Sequence, residues 1–597
     1  MIKNDITIRV AGRAGDGSLT TADILSKVFK DMGLWLVTYK DFPSNIRGLP
    51  TNITLRANEK RIYYGRKDKL DYLLAFDKKN VEIHIEDVIE NGVIIYDNSN
   101  EELSQDLIRD YIHYYFIPMQ SIAKNQLGLE VIKNIIAVGV ITYLLKMDYE
   151  KTKEIIYNHF LKTKGDKIAS KNIEAFDAGY NYAKENIKKV DEYIIEEVKN
   201  PEKTYFIMGN EALAFGAIVG GCRFYASYPI TPASEVLEIL SKELPKYGGV
   251  VVQAEDEIAS INFAIGAAYA GVRAMTGTSG PGISLKTETI GLAVMNETPL
   301  VIYLAQRAGP STGLPTKVEQ SDIYHAIFGG HGDAPRIVIA PGNVKEMFEF
   351  AVLAFNLAEK YQTPVILLAD QVLAQNKYTI PIDEINLKKV KIERGKILTQ
   401  KELDEIISRG GKYLRYKITD DGISPRTIPG MEGGIFTANS NEHEEDGYTT
   451  EHPKKREEML EKRLRKIYQT AKYSGDLPEN LIFGSGEIGI IGFGFTYGPI
   501  MEAMERLKNE NIDVQFLQLR TLWPLDEEGI KSFIDSCEKV IVVEQNAQGQ
   551  LANVIKMFYP NHDKIESLRK YDGRGFTPKD IVDKVKEVVR VSSSLLT

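Results

Sequence analysis

Four short segments concentrate the residue types that recognise anions or move protons. The first is Ser227-Tyr228-Pro229-Ile230-Thr231-Pro232-Ala233-Ser234-Glu235. Thr231 reads as a helix N-cap, Pro232 as the first helical residue and Glu235 as a first-turn acid. The same helix end and hydroxyl could instead face a small carboxylate. The second segment, Gln253 to Gly271, puts Glu255, Asp256 and Glu257 between a strand and a helix of small residues. Acids there are favoured by the helix dipole, whatever else they do. Only one of them should follow the apolar face set by Ile261, Phe263 and Ile265, and a carboxylate buried on that face needs a partner. In the third, Thr278-Ser279-Gly280-Pro281-Gly282 forms a tight turn that lets a flat ligand approach backbone. The fourth, Gln306-Arg307-Ala308-Gly309-Pro310-Ser311-Thr312-Gly313, ends a buried strand in a guanidinium fork suited to a carboxylate.

These segments lie where a strand hands over to a helix, so parallel α/β units must position them. The first 190 residues alternate apolar strands (ITIRV, LWLVTY, NITLR, YLLAFD, GVIIYD) with helical periodicity, the grammar of a doubly wound sheet. Residues 204–375 repeat it with GVVVQAE, PLVIYLA, RIVIA and PVILLAD, which read as strands buried on both faces. Residues 376–479 are charged and rich in Gly and Pro, and read as a connector with one exposed helix around HPKKREEMLEKRLRKIYQTAKY. Residues 480–597 return to parallel α/β grammar. The expected class is therefore α/β with three parallel-sheet domains.

Composition narrows the chemistry. A net charge of -9 argues against a nucleic-acid backbone as partner. No run of eighteen or more uncharged apolar residues occurs, so no membrane span is expected and the cytoplasm is the expected location. Cys222 and Cys537 are the only cysteines, too few for an iron-sulfur cluster, and each sits beside apolar sequence like an ordinary buried residue. His443 among Glu442, Glu444 and Glu445 reads as a solvated loop rather than a metal site, and no metal ligand is assigned anywhere in the chain. Gly492, Gly494 and Gly498 read as close packing between strand and helix. Gly15-Asp16-Gly17 with Asn45 approximates the spacing of a magnesium-diphosphate motif, but Asn45 lacks the usual neighbouring ligand.

The order YPITP, EDEIAS with GAAYAG, TSGPG, then QRAGPSTGLPTKVEQ resembles the alpha subunit of the 2-oxoacid:ferredoxin oxidoreductases. GRAGDG and Asn45-Ile46-Arg47-Gly48 resemble that group's gamma portion, fused in front; Leu49 departs from the Arg-Gly-Gly of many members. The resemblance spans most of the chain. It implies a gamma-like domain, a thiamine pyrimidine-binding domain and a transketolase-C-like domain.

The resemblance also implies roles. Thr231 and Arg307 would grip the 2-oxoacid carboxylate, within a pocket that includes Tyr228, Pro229, Ile230 and Pro232. Glu257, with Glu255 as the alternative, would hydrogen-bond the aminopyrimidine of thiamine diphosphate and favour its imino form, with Thr278, Ser279 and Gly280 also against the cofactor. Magnesium and a [4Fe-4S] cluster would belong to a beta subunit, in a heterodimer or dimer of heterodimers. Coenzyme A would be co-substrate, ferredoxin the acceptor, and the GPSTG form leans towards 2-oxoglutarate or broad specificity. Two rival readings are a subunit of a non-oxidative thiamine enzyme and a non-catalytic nucleotide-binding scaffold.

Overall fold

The computed structural model describes residues 2–44 and 49–595, so Asn45, Arg47 and Gly48 lie outside the described residues. Internal contacts divide the chain into two compact units. The first runs to Phe206 and takes in Asn376–Ile382 and Thr577–Lys579. The second holds Ile207–Gln375, Asp383–Phe576 and the segment from Asp580 onward.

In the first unit a mixed sheet carries, in order, His113–Ile117, Val88–Asp97, Leu70–Ala75, Asp5–Arg13, Pro50–Asn58, Trp35–Asp41 and Lys377–Pro381. Its first four strands pair in parallel, as the strand-helix alternation requires, whereas Pro50–Asn58 and Trp35–Asp41 pair antiparallel. Lys377–Pro381, which the sequence assigns to the connector, adds antiparallel to Trp35–Asp41. The glycine turn before the helix Ser18–Asp31 is occupied by local chemistry. Asp16 accepts the Arg13 backbone N–H at 3.1 Å and faces Lys133 at 3.7 Å, while Gly17 holds a left-handed φ of 86° against Asn134.

The second unit contains two sheets. The larger orders Val250–Gln253, Phe224–Ser227, Ala274–Thr278, Leu300–Gln306, Pro364–Asp370, Ile337–Ile339 and Thr521–Trp523. All its pairings are parallel except the last. Every residue of the central strands Leu300–Gln306 and Pro364–Asp370 is buried, which is why they read as continuous apolar runs. The smaller sheet orders Leu481–Gly484, Val514–Gln518, Ile488–Gly492, Lys539–Glu544 and Ile565–Arg569. One core serves both sheets, running from Ile302, Leu304 and Ile366 through Phe493, Leu519 and Val542.

The connector does not behave as a tether. Arg394 and Arg426 close on the buried Glu359 at 2.6 and 2.8 Å, beside Arg273 at 2.8 Å. The helix expected to be exposed, Pro453–Arg465, buries Met459, Lys462 and Arg463. Lys462 and Lys466 both hold Glu297, and Arg463 holds Glu442 at 2.7 Å. The period-3.6 pattern of this helix is carried by long cations rather than apolar residues, so its buried face is invisible to a hydrophobicity count. His443 corrects the solvated-loop reading. It is buried, its ring packs 4.1 Å from that of Tyr416, and burial lowers its basicity. Among the described residues no group of three or more His, Cys, Asp or Glu side chains is placed to hold a metal. Gly494 does pack closely: at φ 60°, an added Cβ would stand 2.6 Å from the buried Asp370 carboxylate.

Candidate active site

The ends of four neighbouring parallel strands form the site. Their carboxyl ends are where an open α/β sheet leaves a crevice. Phe224–Ser227 delivers Tyr228, Pro229 and Ile230 beyond its carboxyl end, with Tyr228 and Pro229 exposed. The buried Ser227 hydroxyl donates to the Gly277 carbonyl at 2.8 Å, which locks this strand end to the next one. The helix cap expected at Thr231 does not form. Instead the Thr231–Pro232 peptide is cis, residues 231–233 form a turn, and the helix Ser234–Glu243 begins after Ala233 with no side-chain cap. Asn210 holds that turn, donating to the Pro232 carbonyl at 2.8 Å and to Glu235 at 2.9 Å, while Tyr303 donates to Asn210 at 2.6 Å.

Arg307 leaves the end of Leu300–Gln306 and donates from Nη1 to the Thr231 carbonyl at 2.8 Å. Two residues far apart in sequence, each singled out for carboxylate recognition, are thus in direct contact. Arg307 is 7% exposed and its buried Nε has no hydrogen-bond partner. A native protein pairs nearly every such donor, so an unpaired guanidinium N–H at the carboxyl end of a central strand is available to a ligand. Burial also pulls the Arg307 guanidinium below its usual range, which Asp322 partly offsets.

The three acids separate cleanly. Asp256 is the cap of the helix Glu257–Tyr269, accepting the Ala259 N–H at 2.7 Å, and it is exposed, as is Glu255. Glu257 alone is buried, at 8% exposure. The buried face consists of Glu257, Ser260, Ile261, Ala264 and Ala268. Of the three residues expected to set the apolar face, Ile261 is buried and Ile265 partly so, whereas Phe263 is 51% exposed and lies off it. Glu257 reaches the glycine turn. A Cβ added at Gly282 would stand 3.0 Å from Glu257 Oε1 and 2.0 Å from Thr278 Oγ1, so only glycine fits between them. Thr278 and Ser279 are fully buried, and the Ser279 hydroxyl neither caps the helix Gly280–Met295 nor meets any other partner.

Two further residues here escaped the sequence reading. Lys286 lies on the buried stripe Gly282, Ile283, Lys286, Thr289 and Ile290, and its amine donates to Thr276 at 2.8 Å and to Ser260. Burial pushes it down to about 7, against the pull of Glu257 and Asp256. Its helical spacing with Ile283 and Ile290 was the available signal. Asp322 precedes the helix Ile323–Phe328 but does not cap it. Its carboxylate stands against the same glycine turn, 3.0 Å from where a Gly280 Cβ would be. That sequence position resembles an ordinary cap, so nothing distinguished it.

Comparison with known proteins bears on this arrangement. Residues 215–462 match the family described as pyruvate flavodoxin/ferredoxin oxidoreductase, thiamine diP-binding. Residues 7–182 match pyruvate ferredoxin/flavodoxin oxidoreductase, and residues 486–581 match its core domain II. The chain is 32% identical to 2-oxoacid:ferredoxin oxidoreductase 2, subunit alpha, of Aeropyrum pernix, over 98% of each. It is 36% identical to the 2-oxoglutarate synthase subunit KorA of Methanothermobacter thermautotrophicus, over 65% of this chain and 99% of that one. Among solved structures it is similar to the 2-oxoglutarate:ferredoxin oxidoreductase of Magnetococcus marinus with 2-oxoglutarate, coenzyme A and succinyl-CoA bound. The TM-score is 0.90 and the identity 37%, over 98% of this chain and 99% of that one.

Proposed function

The chain belongs to the alpha subunits of the 2-oxoacid:ferredoxin oxidoreductases, and we propose that Thr231, Arg307 and Glu257 are the working residues of its half of the active site. The reaction converts a 2-oxoacid and coenzyme A into an acyl-CoA and carbon dioxide, with the two electrons released passing to ferredoxin. That oxidative chemistry sets aside the non-oxidative and scaffold alternatives.

The contact of Arg307 with Thr231 is the observation that carries the proposal. Arg307 spends one donor on the turn, which fixes the guanidinium plane, and leaves its buried Nε for the substrate carboxylate. Thr231 positions the arginine through its backbone carbonyl, and its hydroxyl would donate to the same ligand.

The residues also fit thiamine diphosphate. A buried carboxylate, Glu257, stands beside a glycine cradle, with the unpartnered Ser279 hydroxyl next to it. Glu257 and the turn Thr278, Ser279 and Gly280 would hold its aminopyrimidine, and the bound cofactor would supply the nucleophilic carbon that the decarboxylation of a 2-oxoacid needs. Glu257 holds a proton at the ring nitrogen, and the surrounding burial keeps water from competing for it.

The diphosphate, magnesium and the [4Fe-4S] cluster are assigned to a beta subunit. Ile258, Phe263 and Leu285, each about half exposed on the helices that carry Glu257 and the glycine turn, give that subunit an apolar seat. Coenzyme A as co-substrate, ferredoxin as partner and a cytoplasmic location complete the proposal; among the described residues no helix is long and apolar enough to cross a membrane. Among the acids, 2-oxoglutarate is favoured, because several relatives are named for it.

The test is kinetic. In the complex with its partner, Arg307→Ala lowers kcat/KM for 2-oxoglutarate by about tenfold to a hundredfold, the equivalent of a charge-assisted hydrogen bond of about 1.5 to 3 kcal/mol. Thr231→Ala costs less, because the carbonyl that holds Arg307 remains. Unaltered kcat/KM in the arginine variant would remove the assignment.

A further inference from the structure

Asp322 is a second carboxylate at the glycine turn, and the proposed roles leave it unused. As a residue it is half-buried, yet its Oδ2 is sealed from solvent and has no hydrogen-bond partner. Its backbone is held rigidly, with its own N–H donating to Gln306 Oε1 at 3.1 Å. The preceding Gln320 and Ser321 bond to Gln545, Asn546 and Gln550 at 2.7, 3.1 and 2.8 Å. A carboxylate placed this firmly, uncapped and unpaired, is set for a ligand rather than for its own helix.

The charged groups that act on it are few. Glu319 comes from its own segment and Arg307 from the strand end. The glycine turn facing it contributes the neutral Ser279 and Gly280, with Glu257 standing against Gly282, two residues further on. Gln306 and Gln550, on the elements behind, are neutral. Three buried polar atoms therefore lack partners in this corner: Asp322 Oδ2, Ser279 Oγ and Arg307 Nε.

On the reading that Arg307 receives the 2-oxoacid carboxylate, a charged Asp322 would be a second anion within the field of the same guanidinium. Two carboxylates in a water-poor site do not both stay ionised. We propose that Asp322 is a specificity-determining residue of the substrate pocket, which takes one proton from solvent as the 2-oxoacid binds and donates it as a hydrogen bond to the substrate. The proton returns to solvent on release, and no bond of the substrate is made or broken by it. A protonated carboxyl completes a pair of donors with Arg307, whereas a charged one repels the ligand. The titration needed is within reach, since burial first and Glu319 second push Asp322 up to about 7, against the pull of Arg307.

The experiment is the pH profile of 2-oxoglutarate oxidation by the complex with its partner subunit. Wild-type kcat/KM holds level at acid pH and falls by about tenfold per pH unit above pH of about 7. Asp322→Asn, which donates at every pH, keeps the acid-side value and loses that limb, while kcat moves much less than KM. Asp322→Glu retains the limb. A falling limb in Asp322→Asn like that of the wild type overturns the proposal, and so does its disappearance in Asp322→Glu, the arm that decides if the asparagine variant does not assemble. Arg307→Ala in parallel separates the two readings. If the arginine variant is impaired and the Asp322→Asn limb is unchanged, only the proton coupling fails; wild-type kinetics in Arg307→Ala would remove the carboxylate site itself.

Discussion

Three adjacent acids at a helix start invite an explanation by the dipole alone, but burial sets one of them apart. Asp256 caps the helix, and Glu255 is exposed beside it. Glu257 is different because it is buried against Gly282 and Thr278. If it only complemented the dipole, Glu257→Gln would lose about 0.3 to 1 kcal/mol of stability and keep its chemistry. In the proposed role at the ring nitrogen an amide is a poor substitute, because it carries no negative charge to stabilise the protonated pyrimidine and cannot take up a proton. Glu257→Gln therefore folds and keeps its partner, yet loses C2-proton exchange of bound thiamine diphosphate by at least about a hundredfold. NMR exchange measured beside Glu255→Gln decides between the two; normal exchange in Glu257→Gln would return the role to its neighbour. Motif spacing and the expectation of a single buried acid both pointed to Glu257, and of the apolar face Ile261 and Ile265 are buried or partly so while Phe263 is exposed, with Ser260 and Ala264 completing the buried stripe. Small and polar residues on a buried face carry no hydrophobic signal, and the same blindness hid Lys286.

At the scale of elements, the strands were legible and the connector was not. Continuous apolar runs such as Leu300–Gln306 announce their burial, whereas the helix Pro453–Arg465 is fixed by ions. Glu297 is buried, and although burial alone would raise it, Lys462, Lys466 and Arg415 hold its carboxyl well below the usual range. Removing its charge leaves two buried ammonium groups with no counter-ion, a loss of roughly 3 to 5 kcal/mol for a buried pair. Glu297→Gln should release this helix first, seen as amide exchange faster by about two to three powers of ten over residues 453–465. Lys462→Met costs less, because Lys466 still meets Glu297 at 2.8 Å. Unchanged protection in Glu297→Gln would mean that the helix is held by packing around Met459 instead.

The whole molecule belongs to a family of oxidative enzymes, yet its cysteines are too few to ligate an iron-sulfur cluster. Its two cysteines are both buried; burial pushes the Cys222 thiol up to about 12 and raises that of Cys537 as well. Thiols held protonated in this way are poor ligands, and two are fewer than a cubane cluster requires. On the proposed division of labour the electrons pass to a cluster on a partner chain, for which the half-exposed Ile258, Phe263 and Leu285 offer an apolar seat. The isolated protein should be colourless, contain no stoichiometric iron, and leave 2-oxoglutarate and coenzyme A unreacted with ferredoxin present. Adding the beta subunit should restore both the brown absorbance and the activity. Replacing Phe263 with a charged residue weakens that assembly while leaving the fold of the free chain intact, because the side chain touches solvent there. Iron bound in stoichiometric amount to the lone chain, or turnover without a partner, would place the electron path inside this polypeptide and overturn the division of labour.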